Sequence, residues 1–301
     1  MLTWLKKQTT STPTIGLHLM QHGFAIAYAA TKPDRYVTDY IPCERAQQPA
    51  MLQQSLQQHQ LQQARVNLII PGDDYELYLT TTAPMEHKTL QAALRWRLEE
   101  ITGNTIDDPV IDVFNLPASG QRGQDQHVQV VVSRQSAIQV YIDWLKDAGV
   151  TVNSIEIVEL SLTRLMSLTE ANEQGVMLLT GHDQLGLLLA IKQNELYLTR
   201  RLTAQAMDNG GDDLLLEVQR SLDFYQSRFR ERPPGTVILH PADGYGTTTM
   251  QQLQTLGNTS STNWNDTLLP FVLDKRSPDS PQTLAALGAA LRMKNVQSSA
   301  A

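Results

Sequence analysis

Two segments of this chain, 14–28 and 176–191, share one layout: an apolar strand, a tight polar turn and a second apolar strand. A hairpin that recurs about half a chain later predicts two similar domains that face each other across a cleft. Each turn would offer backbone N–H groups to a common ligand. Neither turn carries the acidic residue that phosphate chemistry would need.

The composition limits the kind of partner that such a chain can bind. With 301 residues, of which 41% are hydrophobic and 18% charged, the chain is long enough for two cores. The net charge of −7 without a basic stripe argues against nucleic acid and favours a protein partner. The longest apolar run, 185–191, is far shorter than the roughly 20 residues that cross a bilayer. Cys43 is the single cysteine, which fits a reducing compartment, so we predict a cytosolic protein.

Strand patterns extend both hairpins. Residues 37–41 can add a third strand to the first hairpin. Residues 66–70 form an apolar strand, and we predict that 75–80 pairs with it across the turn 71–74. The first half of the chain is therefore expected to be rich in β-structure.

Helical spacing marks the segments between the strands. The segment 85–101 is predicted to be a helix whose apolar stripe consists of Leu90, Leu94, Leu98 and Ile101. Trp96 lies off this stripe. A last helix begins near Pro281, and Gly288 on its packing face would let another segment approach closely.

Several short motifs occur in an order that resembles a known family. They are Ile-Gly-Leu-His-Leu at 15–19, Leu-Gln-Ala-Ala-Leu-Arg-Trp-Arg-Leu-Glu-Glu at 90–100, Trp-Leu-Lys-Asp-Ala-Gly-Val at 144–150, Leu-Tyr-Leu-Thr-Arg at 196–200 and Leu-Gly-Ala-Ala-Leu-Arg at 287–292. Over about 12–294 the chain resembles the PilM-like branch of the actin-like ATPases. More narrowly, it is similar to the PilM-type component of the mannose-sensitive haemagglutinin (MSHA) type IV pilus machine.

The resemblance implies an α/β, actin-like (ribonuclease H-like) fold of two lobes with a small inserted α+β subdomain. It divides the chain into a leader at 1–11, a first 1A-type lobe at 12–83 and 135–172, a 1C-type insert at 84–134, a second lobe at 173–275, a C-terminal helix at 276–294 that packs back on the body, and a tail at 295–301. We expect the leader to be flexible and the tail to be disordered.

The nucleotide-binding turns of the family are altered in this chain. His18 stands where the family has the aspartate of its first phosphate turn, and Met20 replaces the second glycine. Leu179 stands where the second turn has its aspartate, two residues before Gly181. After 237–239 the expected glycine pair is replaced by His-Pro-Ala-Asp-Gly. Because Mg²⁺ prefers hard oxygen ligands, these losses argue against efficient ATP hydrolysis.

The remaining cleft candidates are few. They are Gly16, His18, Gly181, His182, Gly210 and Gly211. Gly210 and Gly211 precede a predicted helix, but two aspartates follow them and would repel a phosphate, so a plain loop is favoured. Glu156 and Glu159 could still supply a cleft carboxylate, although solvated or structural roles are favoured. We predict no catalytic residue, no metal site and no required cofactor, and we leave weak binding of ATP or ADP open.

The resemblance also implies a partner. Such a protein lies at the cytoplasmic face of the inner membrane and binds the N-terminal peptide of a PilN-like bitopic (MshJ-type) protein, in a groove of the 1A- and 1C-type subdomains, beside other pilus platform proteins. Trp96 and Arg97 are our candidates for this contact, because tryptophan and arginine are enriched in interface hot spots. Packing of Trp96 on the local core is the alternative. An active actin-like ATPase, a cytoplasmic L-type component of type II secretion and a homodimer also stay open.

Overall fold

Two five-stranded sheets with the same strand order form most of the fold. In this computed structural model the described residues are 12–30, 35–117, 126–182, 185–203, 206, 212–240, 251, 253, 260–263, 273 and 281–292. The predictions for the leader, the tail, Gly210 and Gly211 lie outside them. The strands are β1 Thr14–Met20, β2 Gly23–Ala29, β3 Tyr36–Pro42, β4 Arg65–Ile69, β5 Tyr75–Thr82, β6 Pro109–Asn115, β7 Gln126–Arg134, β8 Thr151–Glu156, β9 Val176–His182, β10 Leu185–Lys192, β11 Glu195–Leu202, β12 Thr236–His240 and β13 Ser260–Asn263. The first sheet has the strand order β3-β2-β1-β4-β8 and the second has the order β11-β10-β9-β12-β13. A third, smaller sheet has the order β5-β7-β6.

Helices cover the faces of these sheets. The α-helices are α1 Gln48–Gln58, α2 His87–Trp96, α3 Leu98–Thr102, α4 Gln135–Asp147, α5 Val158–Met166, α6 Ala171–Gln174, α7 Asp212–Phe229 and α8 Leu284–Ala290. Short 3₁₀ helices span Arg45–Gln47, Gly72–Asp74 and Pro281–Thr283. The largest core unites the first sheet with α1, α5, α8 and one face of the second sheet. Separate cores lie between the second sheet and α7 and between the third sheet and α2.

The two large sheets repeat one plan, as the duplicated hairpin predicted. In each, the hairpin of β1 and β2 or of β9 and β10 takes a third antiparallel strand on one side. On the other side, β1 and β9 each have a parallel neighbour, β4 and β12. The predicted third strand at 37–41 corresponds to β3. The prediction of two similar halves is therefore confirmed.

The predicted partner of residues 75–80 is wrong. β5 pairs antiparallel with β7, with Leu77 opposite Val131, and it does not pair with β4. The reason is that β4 already has a parallel neighbour on each side, β1 and β8, so it offers no open edge. The pairing places β5 in the third sheet. We call the third sheet together with α2 and α3 the insert.

The helical segment of the insert follows the predicted stripe but is interrupted. α2 ends at Trp96, and Arg97 leaves the helical conformation (φ −98°, ψ 11°) before α3 begins. Leu90, Leu94 and Leu98 are buried against the valines of β7. The side chain of Trp96 is 92% exposed, so the alternative that it covers the local core is excluded.

The C-terminal helix α8 crosses the first sheet and α5 at very close range. A Cβ atom on Gly288 would collide with the carbonyl oxygen of Ser161 and lie 2.6 Å from its Oγ. A Cβ atom on Gly16 would collide with the carbonyl oxygen of Ala286 and lie 2.7 Å from the backbone nitrogen of Ala290. The predicted close approach at Gly288 is confirmed, and Gly16 is its counterpart in β1.

Candidate nucleotide cleft and partner surface

The ends of three neighbouring strands bring His18 and Glu156 onto one face of the first sheet. His18 of β1 is in register with Ile69 of β4, which is in register with Glu156 of β8. Residues in register across parallel strands point to the same face, and strands are about 4.8 Å apart, so two strand spacings separate His18 from Glu156. Both side chains are buried.

Glu156 is held by two arginines. Arg164 of α5 donates to Glu156 Oε2 at 2.8 Å, and the Arg292 guanidinium lies 3.3 Å from the same oxygen. Arg164 also donates to the carbonyl oxygen of Gly288 at 2.9 Å. The carboxylate at this strand end therefore joins β8, α5 and the end of the C-terminal helix. Its charge is already balanced by protein groups, which is the structural role that the sequence favoured.

The next row of the same face lies beneath α8. Gly16, Asn67 and Ser154 are in register across β1, β4 and β8. Asn67 donates to the carbonyl oxygen of Ala289 at 2.9 Å, and its own Oδ1 accepts from Ser154 at 2.9 Å and from Asn153 at 2.7 Å. Gly16 thus lies under a helix. Glycine is required at this position because the backbone of α8 comes so close, and no bound ligand is needed to explain it.

The second hairpin supplies a different counterpart of His18 from the one that the sequence suggested. The last pair of the first hairpin is Met20 with Gly23, and that of the second is His182 with Leu185. Counted back from these pairs, His18 corresponds to Thr180. Leu179 belongs to the core beneath α7, on the opposite face. The sequence comparison was offset by one residue because it aligned the glycines instead of the strand pairs.

Thr180 and its neighbour are buried and uncharged. Thr180 is in parallel register with His240 of β12, and both are almost fully buried. Burial lowers the pKa of His240 to about 4, so the imidazole is neutral at physiological pH. Gly181, one residue further along β9, is half-buried and pairs with Gly186. For His182 the structure describes only the backbone, which pairs with Leu185.

The donor set at these strand ends does not fit a magnesium-bound nucleotide. Histidine and threonine stand at the two corresponding positions, and the nearby Glu156 is engaged by two guanidinium groups. Mg²⁺ prefers carboxylate, phosphate and water oxygens. Among the described residues, no three His, Cys, Asp or Glu side chains are placed to hold a metal ion together. Glu159, the other acidic candidate, is fully buried on α5 and accepts the Tyr75 hydroxyl at 2.6 Å.

The candidate partner residues lie on the outer surface of the insert. Trp96 projects into solvent at the end of α2. Arg97 donates twice to Glu100, at 3.0 and 3.1 Å, and this hydrogen bonding raises the pKa of Arg97 and lowers that of Glu100. The Arg97 charge is therefore already paired, whereas the Trp96 ring is not packed against the core.

A cavity of about 270 Å³ lies at the root of the insert, beside the 3₁₀ helix Gly72–Asp74. Its walls come from three segments, 73–76, 105–107 and 132–134. Asp74 of this wall is fixed by Arg45 at 3.0 Å and by the hydroxyl of Tyr141.

None of the described helices combines the length and the apolar composition that a membrane span requires.

Together, the two matched sheets, the helices between them and the inserted third sheet define an actin-like fold, which confirms the predicted fold class. The solved PilM–PilN type IV pilus biogenesis complex contains a chain of this fold. It is 18% identical to the present chain with a TM-score of 0.70, and the match covers 93% of this chain and 98% of that one.

Two further solved structures are similar over most of the chain. One is the cytoplasmic domain of EpsL, an inner membrane component of the type II secretion system of Vibrio cholerae, at 12% identity and a TM-score of 0.54, covering 94% of this chain and 95% of that one. The other is a Bacteroides thetaiotaomicron protein of actin-like ATPase fold and unknown function, at 14% identity and a TM-score of 0.53, covering 88% and 95%. No protein-family model and no curated protein sequence matches the chain.

Proposed function

We propose that this protein is a non-enzymatic scaffold of a type IV pilus assembly platform, which docks the N-terminal peptide of a PilN-like membrane protein. The observation that carries this proposal is the likeness to the PilM–PilN complex along nearly the whole of both chains. The exposed Trp96 on the insert and the cavity at the root of the insert are the surfaces that an extended peptide would use. In this mode of recognition the main chain of the peptide forms hydrogen bonds, while pockets along the surface take alternate side chains.

The scaffold role rests on the chemistry of the cleft. Phosphoryl transfer depends on positioned metal ions and charge stabilisation. Here Glu156 is neutralised by Arg164 and Arg292, and Gly16 is covered by α8. A nucleotide would have to displace internal contacts of the fold before it could bind a metal there. We therefore propose that the cleft is a degenerate nucleotide site.

The scaffold would attach to the membrane through its partner. In this proposal the protein is cytoplasmic and peripheral to the inner membrane, and an MshJ-type PilN-like protein supplies the anchor. The sequence resemblance favours the MSHA system, with this chain in the place of the PilM-type component MshI. The likeness to EpsL favours a second candidate, a cytoplasmic L-type component of type II secretion, with a lower TM-score. The two candidates can be distinguished by co-purification from an extract, because this protein would retain a PilN-like pilus protein in the first case and a type II secretion protein in the second.

Titration with Mg-ATP tests the degenerate site. We expect no binding tighter than about 1 mM by isothermal titration calorimetry, because the carboxylates that the structure describes at the cleft, Glu156 and Glu159, are engaged by protein groups. The same titration with ADP and without magnesium serves as the control for metal-independent binding. Micromolar binding of Mg-ATP, or its hydrolysis by the purified protein, would favour an active actin-like ATPase.

Peptide binding tests the scaffold. The N-terminal peptide of the PilN-like protein encoded beside this one is labelled and titrated by fluorescence anisotropy. We expect Trp96→Ala to weaken binding by about 30-fold, the effect of losing a hot-spot side chain of about 2 kcal/mol. Leu216→Ala, which removes an exposed apolar side chain from α7, is the matched control and should leave the affinity unchanged. The proposal fails if the unmodified protein does not retain the peptide.

A further inference from the structure

Two consecutive arginines at the edge of the second sheet point in opposite directions. Arg200 and Arg201 lie in β11, the outermost strand of that sheet, and successive strand residues face opposite sides. Arg200 points to α7, where it donates to Glu217 at 2.8 Å. Arg201 points the other way, toward α5 and the insert. The first arginine therefore stays within its own half of the molecule, whereas the second crosses to the other.

Arg201 makes several contacts across this boundary. Its Nη1 donates to the carbonyl oxygen of Gly72 at 2.9 Å. Its guanidinium carbon lies 4.6 Å from the centre of the Tyr75 ring, a cation–π contact. Its Nη2 lies 3.8 Å from Oε1 of Glu159. Gly72 lies in the 3₁₀ helix that precedes the insert, and Tyr75 is the first residue of β5. One side chain therefore contacts the root of the insert and a central helix.

Glu159 and Tyr75 form the buried half of this cluster. The Tyr75 hydroxyl donates to Glu159 Oε2 at 2.6 Å, and both side chains are almost completely buried. Burial raises the pKa of both groups. A buried carboxylate is costly unless it is hydrogen-bonded and paired. Tyr75 hydrogen-bonds one oxygen of Glu159, whereas the other oxygen has no hydrogen-bond partner among the described residues and lies 3.8 Å from the Arg201 guanidinium, which balances its charge.

We propose that Arg201, Tyr75 and Glu159 form a latch that fixes the second sheet against the root of the insert. The apolar packing of α5 and α8 between the two sheets is not directional and would permit small rotations. The latch adds directional contacts at one edge of the second sheet. If that sheet rotated relative to the rest of the molecule, the ion pair, the cation–π contact and the hydrogen bond to Gly72 would break together. It thereby sets the angle between the two halves and the position of the insert.

Distances between two spin labels on the full chain, measured by double electron–electron resonance, test the latch. Labels are placed on exposed helical positions of the insert and of the second half, by Lys88→Cys and Gln226→Cys, after Cys43→Ser. The doubly labelled protein with Arg201 and Arg200 unchanged, which is the parent for the variants, should give one narrow distribution of label-to-label distances. Arg201→Gln should add a broader population at other distances, whereas Arg200→Gln, which removes the neighbouring ion pair to α7, should leave the distribution narrow. Equal distributions in all three proteins, or equal broadening in both variants, would overturn the proposal.

A second variant keeps the test decisive if Arg201→Gln does not fold. Glu159→Gln removes the charge that faces Arg201, while its amide oxygen can still accept the Tyr75 hydroxyl. We expect it to broaden the distribution as well, and an unchanged width would count against the latch. Circular dichroism and cooperative urea unfolding establish that each variant is folded. Neither nucleotide nor peptide is present, so the result does not depend on the proposed scaffold function.

Discussion

Gly16→Ala is expected to lower the free energy of unfolding by about 3 kcal/mol or more, at the upper end of the cost of overpacking. The new methyl group would collide with the Ala286 carbonyl and lie 2.7 Å from the nitrogen of Ala290. These are backbone atoms of α8, so a rotamer change cannot relieve the contact. Urea unfolding followed by circular dichroism measures the loss.

Gly72→Ala is the matched control for this substitution. Apart from its chain neighbours, no atom lies within 4 Å of a Cβ placed on Gly72, so we expect almost no loss of stability. The comparison also separates two explanations for Gly16. If Gly16 served a phosphate instead of α8, alanine would leave stability near that of the parent and would affect only nucleotide binding. That outcome would contradict the closed face described above.

Glu156→Ala is the second change for which we expect a large effect, about 3 kcal/mol of lost stability. Removing this carboxylate leaves the guanidinium groups of Arg164 and Arg292 without their shared partner, and that of Arg164 is mostly buried. Truncating one member of a buried ion pair costs more than the pair contributes, because the remaining charge stays desolvated. Thermal and urea unfolding both report the loss.

An exposed ion pair provides the contrast. Glu100→Ala removes the partner of Arg97 on the surface of the insert, where solvent screens the interaction, and it should hardly change the unfolding curve. Arg292→Ala should cost less than Glu156→Ala, because Glu156 keeps its closer partner Arg164. If Glu156→Ala were as stable as Glu100→Ala, the carboxylate would not be a structural anchor and its assignment to a working cleft would have to be reconsidered.

The features that could be predicted from sequence are those that depend on local periodicity. The repeated layout of an apolar run, a short polar turn and a second apolar run, around Gly16 and around Gly181, identified both hairpins. The spacing of Leu90, Leu94 and Leu98 placed Trp96 outside the stripe, and the side chain is indeed exposed. Gly288 indicated close packing, since a glycine on an apolar helical face removes the Cβ that would hold a neighbour away.

The features that escaped prediction depend on contacts between segments far apart in sequence. The pairing of β5 with β7 is decided by competition for the edges of β4, and nothing within 75–80 records that competition. Thr180 became recognisable as the counterpart of His18 only once the strand pairs were known. Arg201 and Glu159 carry no motif, because their partnership comes from the crossing of β11 over α5.

The close fit of α8 over β1 has a consequence for how the chain folds. Residues 16 and 286 are in contact although almost the whole chain separates them, so the first sheet gains the cover on one face only after the last helix has been made. Until α8 has been synthesised, Asn67 on that face lacks the carbonyl of Ala289 as its acceptor, and Glu156 lacks its contact with Arg292. We expect nascent chains that still lack α8 to depend on chaperones until that helix has been synthesised.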